Sequence, residues 1–400
     1  MSSSTARWFY FTAGVVTACL VFALGLGVRW AYERLANEET PAAATAPDLN
    51  TLYNEAWSLI VRDYPGDLPS ERERVYGALQ GSIARIGDPY TYFVEPEPAA
   101  REQEQLEGRF GGIGAYLELD AQGRVRLRPM VGRPAAEAGL REGDVLLAVD
   151  GKTIPQPADL DQVTALLRGP VGTVVRVTVW RDGQRLDYEV TRTEIELPSV
   201  SWRRLDEAPA CGYIRMERFS ALTEREFLQA LAELRSQDAG DCLVLDLRGN
   251  PGGLLDAAIA IADHFLEEGT ILSERRGDGS EHVYTARPGG EATSATVAVL
   301  VDQSTASAAE ILAGALQDHG RGRLVGAKTY GKGSIQRVHR LSDNSAVHVT
   351  FARWFTPNGR PIDGRGLEPD LAVAPMPDTD AALTAALDLL QPSSRSSLAP

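Results

Sequence analysis

Lysine is almost absent from this chain. Among 400 residues there are 40 cationic side chains, and only Lys152, Lys328 and Lys332 are lysines; the other 37 are arginines. Cations are outnumbered by 55 carboxylates, a formal charge of −15, which argues against a broad nucleic-acid surface. Cysteine is scarce too: Cys19, Cys211 and Cys242 form no CxxC pair and no HExxH occurs, so the usual zinc spacings are missing. The five histidines, His264, His282, His319, His339 and His348, have no sequence context suited to a base, and no GxSxG elbow presents a serine to one. They read as surface or strand-packing residues. No repeat of about 20–50 residues is evident, which excludes a solenoid.

What is present is a folded composition. Hydrophobic residues make up 44% and charged residues 24%, which fits neither a disordered chain nor a polytopic membrane protein. At roughly 150 residues per domain the length suggests two or three units. Residues 8–28 are uncharged and bracketed by Arg7 and Arg29; at about 1.5 Å per residue they just cross a bilayer core. Arg29-Trp30 follows directly, where a cleavable signal peptide would place small residues. The reading is therefore a short tail (1–7) and an uncleaved transmembrane anchor (8–28), in preference to a signal peptide cut within the Ala-rich 41–47. The body is expected to be exported, to a periplasmic or cell-envelope location. Cys19 lies in the span. Cys211 and Cys242 sit in apolar, strand-like runs and read as two buried thiols; a disulfide requires their Cα atoms within roughly 7 Å.

Residues 29–49 read as a solvated tether. Helical periodicity over 52–64 and 70–86, the second opened by Ser70 as an N-cap, predicts a small helical arm within 50–108. Short β runs at 113–119, 125–129, 145–149 and 174–181, with one helix at 159–167 and turns at Asp150-Gly151 and Asp182-Gly183, predict a compact domain over 109–195. Across 196–376, strands at 212–216, 242–247, 296–301 and 323–326 alternate with helices at 224–235, 254–266 and 306–318. That order predicts a layered α/β core with largely parallel pairing. A helix near 380–390 lies in the closing segment 377–400.

Three turns carry chemistry. Ser307 follows a buried strand and falls at the first turn of a helix, where unpaired N–H groups and the helix dipole can activate a hydroxyl and hold an oxyanion. Ser307-Ala-Ala-Glu310 reads equally as a capping box. Asp246-Leu-Arg-Gly-Asn-Pro-Gly-Gly253 is a second strand-to-helix turn, whose glycines either let amides approach a carbonyl or simply make the turn tight. Gly326-Ala-Lys-Thr-Tyr-Gly-Lys332-Gly-Ser-Ile-Gln336 nearly matches GxxxxGK[ST], but Gly333 stands where Ser or Thr should bind magnesium and 334–340 looks like a strand, which argues against a nucleotide site. Lysine, unlike arginine, can lose its proton. Bringing Lys332 from about 10.4 toward 7 takes about 3 units, within reach of desolvation. The competing reading is an exposed lysine in a glycine turn.

Together these turns, with Asp88-Pro-Tyr-Thr-Tyr-Phe, Phe110-Gly-Gly-Ile-Gly and Phe355-Thr-Pro-Asn-Gly-Arg-Pro-Ile, resemble the carboxy-terminal processing (tail-specific) proteases over roughly residues 50–375. The resemblance implies a Clp-protease/crotonase-like α/β core with an inserted PDZ domain, and a serine endopeptidase without metal or other cofactor. It implies Ser307 as nucleophile, Lys332 as base, Gln336 as its orienting partner, and an oxyanion hole from the amides of Gly253 and Ala308 with Gly252 adjacent. In the PDZ domain, Phe110, Gly111, Gly112, Ile113 and Gly114 would meet a terminal carboxylate, with Leu140 and Ile113 lining an apolar pocket or packing the core. Arg168 resembles a position that couples PDZ and active site in some relatives. Implied partners are protein or peptide substrates with apolar C-termini, an activating adaptor lipoprotein, the membrane through the anchor, and a second copy of the chain; no nucleic acid is implied. The alternative from another class is a catalytically silent PDZ scaffold that presents tails to a different protease.

Overall fold

The computed structural model describes residues 48–376 and 379–390, with Leu24 and residues 27–29 near the N-terminus. The expected anchor over 8–28, and Cys19 within it, therefore lies almost wholly outside the described residues. Among the described residues no helix is long and apolar enough to cross a membrane. The described residues fall into two compact units that divide between Glu73 and Arg74.

In the first unit, helix Leu49–Asp63 opens on Asp48, whose carboxylate accepts the Asn50 N–H at 3.2 Å. Ser70 and Glu73 exchange the two bonds of a capping box, at 2.7 and 3.3 Å, where helix Glu71–Ala84 begins.

The second unit is built on a six-stranded sheet ordered Val200–Arg204, Cys211–Met216, Cys242–Asp246, Thr296–Val301, Gly322–Gly326 and Leu371–Ala372. All pairs but the first are parallel, as the strand–helix alternation predicts. Its central strands are buried on both faces, which is why they read as continuous apolar runs. Leu243, Leu245, Val297, Val299 and Val301 face helices Thr223–Ser236, Leu255–Phe265 and Ala308–Asp318; Val244, Ala298 and Leu300 face Leu383, Ala386 and Leu387 of helix Ala381–Leu390. The register sets Cys211 beside Cys242 with Cα atoms 4.4 Å apart, and the two form a disulfide. Two buried thiols was the wrong expectation, because spacing along the chain does not reveal which residues a parallel register brings side by side.

A second sheet joins Tyr92–Val94, Ala346–Phe355, Thr270–Arg276, Glu281–Thr285 and Ser334–Arg340. Most of it is absent from the sequence reading, although Gly277-Asp278-Gly279 and Ser342-Asp343-Asn344 mark two of its hairpin turns. Helix Pro96–Glu107, with Pro96 in its first turn and Gly108 in the left-handed region at its end, was likewise unforeseen.

The intervening β domain enters through Arg109–Gly112 and leaves through Thr193–Glu196, which pair antiparallel. Its sheet runs Ala115–Leu119, Val125–Pro129, Asp144–Val149, Val174–Arg181 and Gln184–Thr191. Asp150, Gly151, Asp182 and Gly183 all have positive φ, as two-residue hairpin loops that match strand twist require.

Candidate active site

Strand Thr296–Val301 feeds helix Ala308–Asp318 through a turn that holds Ser307 at φ 55°, ψ −118°. A non-glycine residue there stores about 1–3 kcal/mol of strain, so the surroundings must impose it. They do so through buried bonds. Thr305 Oγ1 donates to the Leu247 carbonyl at 2.9 Å and accepts the Asp302 N–H at 2.9 Å, while the Ala306 N–H reaches the Asn250 carbonyl at 2.9 Å. Asp302 also accepts the Gly249 N–H at 3.0 Å. The two strand-to-helix turns are thus laced together.

The second turn starts at Asp246, fully buried, which accepts from Tyr213 (2.5 Å), Arg215 (3.2 Å) and Arg248 (2.7 Å). Hydrogen bonding to Asp246 raises the Arg248 guanidinium pKa, and Arg248 also pairs with Asp380 at 2.8 Å. Beyond it, Gly252 lies so close to Ser307 that an added Cβ would stand 2.8 Å from Ser307 Cβ; at Gly253 one would stand 2.0 Å from the Phe219 carbonyl oxygen. Among the described residues, the N–H groups of Gly253 and Ala308 have no backbone acceptor. Gly252, expected beside them, donates its N–H to Asn250 Oδ1 at 2.8 Å. Its contribution is close approach rather than a donor.

Lys332 lies in the loop after strand Gly322–Gly326. Gly331 and Gly333 flank it because the 362–366 loop packs on them: a Cβ at Gly333 would meet the Asp363 nitrogen at 2.3 Å. The fully buried Glu310 carboxylate fixes this loop. Oε1 accepts Thr329 Oγ1 (2.5 Å) and the Gly331 N–H (2.8 Å); Oε2 accepts the N–H groups of Lys332 and Ser307, both at 2.9 Å. Burial raises the Glu310 pKa, and these bonds oppose the rise. Glu310 thus holds the Ser307 N–H as the capping box read from Ser307-Ala-Ala-Glu310 requires, and the same carboxylate reaches the lysine loop.

Ser307, Ala308, Gly253 and Lys332 line one cavity of about 660 Å³. Burial pushes the Lys332 ammonium below its ordinary pKa, and the Glu102 charge opposes this. Its Nζ lies 5.2 Å from the centroid of the Tyr90 ring and makes no hydrogen bond to Ser307. Gln336 also lines the cavity, and its amide donates to Ser334 Oγ (2.9 Å) and Thr350 Oγ1 (3.3 Å). It makes no hydrogen bond to the lysine it was expected to orient.

In the β domain, Phe110 and Gly111 pair with Ile195 and Glu194, and Gly112 with Thr193. Among the described residues, the N–H groups of Ile113 and Gly114 have no backbone acceptor. Ile113 and Leu140 are 4% and 3% exposed and pack in the domain core. Arg168 bonds Glu104 of helix Pro96–Glu107 at 3.1 Å and lies 4.0 Å over the Phe110 ring, so it is a bridging residue, not a loose surface arginine.

Sequence reasoning missed the Glu102–His348 pair (2.9 Å) on the cavity wall, since helix Pro96–Glu107 itself was missed. Tyr90 stood inside a motif quoted for resemblance, with no physical reason attached.

Residues 210–373 match peptidase family S41, and residues 125–181 match a PDZ domain. The carboxyl-terminal-processing protease of Synechocystis sp. is 38% identical over 329 residues, 81% of this chain and 76% of that protein. That of Picosynechococcus sp. is 38% identical over 356 residues, 85% and 84% of the two chains. A solved structure, the photosystem II D1 C-terminal processing protease, aligns at 31% identity over 86% of this chain and 92% of that one, with a TM-score of 0.47. On the identity and coverage of the first two relatives, this chain belongs to the carboxyl-terminal-processing proteases, serine peptidases of family S41 that carry a PDZ domain.

Proposed function

We propose that the protein is a membrane-anchored, extracytoplasmic endopeptidase that captures apolar protein C-termini on its PDZ domain and cleaves them with a Ser307/Lys332 dyad. The observation that carries this reading is the common cavity lined by Ser307, Lys332, Gly253 and Ala308. Neutral Lys332 takes the Ser307 hydroxyl proton, and Oγ attacks the peptide carbonyl carbon. The resulting oxyanion faces the unpaired N–H groups of Gly253 and Ala308. Collapse breaks the C–N bond, the leaving amine takes the proton from the Lys332 ammonium, and water hydrolyses the acyl-enzyme with Lys332 again as base. The amine has to approach Ser307 before the first step. The unpaired amides of Ile113 and Gly114 support capture of a terminal carboxylate. The Cys211–Cys242 disulfide supports an oxidising compartment, in keeping with the uncharged N-terminal stretch.

The test is turnover of an unfolded protein with an apolar tail, by the wild type and by Ser307→Ala and Lys332→Arg variants. Both variants are expected to be inactive. Full activity in either removes the dyad assignment, and undiminished kcat/KM on a C-terminally amidated substrate removes tail capture.

A further inference from the structure

The Lys332 amine meets an aromatic face. Tyr90 is presented to it by a rigid turn: the Asp88 carboxylate accepts the Tyr90 N–H at 3.1 Å and Thr91 Oγ1 at 2.7 Å, and Thr91 Oγ1 in turn accepts the Thr350 N–H at 3.0 Å. The Asp88-Pro-Tyr-Thr segment is thereby pinned to strand Ala346–Phe355, and its ring faces Lys332 Nζ at 5.2 Å. Burial pushes the Tyr90 phenol up to about 12, so near neutral pH it meets the amine as a π-face, not as an anion.

We propose that Tyr90 is a positioning residue for the Lys332 base: its ring seats the protonated amine at rest and sets the pH at which the neutral amine is released toward Ser307. The proposal rests on the dyad reading above. The groups that face this seat are few. Glu102 approaches from helix Pro96–Glu107, held by His348 Nε2 at 2.9 Å. Glu310 holds the Lys332 backbone from helix Ala308–Asp318, Tyr330 faces the Tyr90 hydroxyl, and Asp363 pairs with Arg353 at 3.3 Å. Burial favours the neutral amine, whereas Glu102 and the Tyr90 quadrupole both favour the ammonium. Removing the ring while keeping apolar bulk therefore lowers the pH at which the base becomes free.

The experiment is the pH profile of kcat/KM for the full chain and for its Tyr90→Phe and Tyr90→Leu variants. Activity requires neutral Lys332, so the acid limb reports its deprotonation. Tyr90→Leu is expected to move that limb about half to one pH unit lower, and Tyr90→Phe, which keeps the ring, to leave it within about 0.2 unit of wild type. A purely structural role would reduce the rate at every pH without moving the limb. An unmoved limb in Tyr90→Leu, or an equal shift in Tyr90→Phe, overturns the proposal. A measurement needing no Tyr90 variant guards against misfolding. With only three lysines, carbon-13 lysine labelling gives three ε-methylene signals, assignable by Lys152→Arg and Lys328→Arg. The Lys332 signal is expected upfield from the ring current of Tyr90, and its absence there also overturns the proposal. If Lys332→Arg retains full activity, the dyad fails instead, whatever the ring current shows.

Discussion

Ser307 and Lys332 donate their backbone N–H groups to the same oxygen, Oε2 of Glu310, each at 2.9 Å. The two residues stand 25 positions apart in the sequence, one at a helix N-cap and one in a loop. One buried carboxylate thus fixes the backbone of both, and its bond to Lys332 engages only the backbone N–H.

Glu310→Gln replaces one accepting oxygen with an NH₂ group. Either orientation leaves two of the four donors facing a nitrogen that cannot accept. We expect a loss of about 3 kcal/mol in stability by urea unfolding, and at least a ~100-fold fall in kcat as the two segments part. A variant within threefold of wild-type kcat would show that Glu310 is only a helix cap.

The lowered Lys332 pKa has a signed consequence for stability. Between the folded value and the ordinary lysine value near 10.5 the unfolded chain binds more protons, so stability rises with pH across that window. Below it the ammonium is buried in full and its cost is greatest. Lys332→Met is therefore expected to raise the melting temperature at neutral pH, and that advantage should shrink as pH rises toward 10. Melting curves of both proteins across this range check it; a pH-independent difference contradicts the sign.

The central sheet was legible because burial on both faces writes apolar runs such as Cys242–Asp246 and Thr296–Val301 directly into the chain. The three turns were legible because close approach demands glycine at Gly252, Gly253 and Gly333. What stayed hidden depends on partners distant in sequence. Glu310 reads as a cap until its carboxylate is seen on the lysine loop as well, and Tyr90 reads as any tyrosine until Asp88 and Thr350 show where its ring is aimed. Cys211 and Cys242 read as thiols until the parallel register is known. Gln336, in contrast, was assigned by position alone, and its amide turns to Ser334 and Thr350.

The Cys211–Cys242 bond closes a loop of sequence separation 31. A loop of that size corresponds to about 3–4 kcal/mol of denatured-state restriction. The Cys211→Ala/Cys242→Ala double variant is expected to lose about that much by urea unfolding and to become insensitive to added reductant. Equal stability of wild type with and without reductant, at verified thiol release, would remove this contribution.

Arg168 and Glu104 connect the PDZ domain to the helix that carries Glu102. Both side chains are partly buried, so the pair should be worth more than an exposed one, about 1 kcal/mol. If it relays tail binding, a double-mutant cycle of Arg168→Ala and Glu104→Gln on kcat/KM should show this coupling with an apolar-tailed substrate and lose it with an amidated one. Coupling equal for both substrates would make the bridge structural only.

Gly252 and Gly249 stand three residues apart in one turn, both in the left-handed region with φ of 102° and 71°. Their surroundings differ. A Cβ at Gly252 meets Ser307 Cβ at 2.8 Å, the Ala306 oxygen at 2.9 Å and the Ala308 nitrogen at 3.0 Å; at Gly249 the nearest atom is an Arg215 guanidinium nitrogen at 3.8 Å. Both substitutions to alanine carry backbone strain, about 1 kcal/mol, and should lower the melting temperature alike. Only Gly252→Ala displaces the proposed nucleophile and an amide of the proposed oxyanion hole, so it is expected to cut kcat by about 10²–10³, far beyond the effect of Gly249→Ala. The comparison separates strain from geometry: equal kcat losses would mean that turn stability, not the contact with Ser307, is what the glycine at 252 supplies.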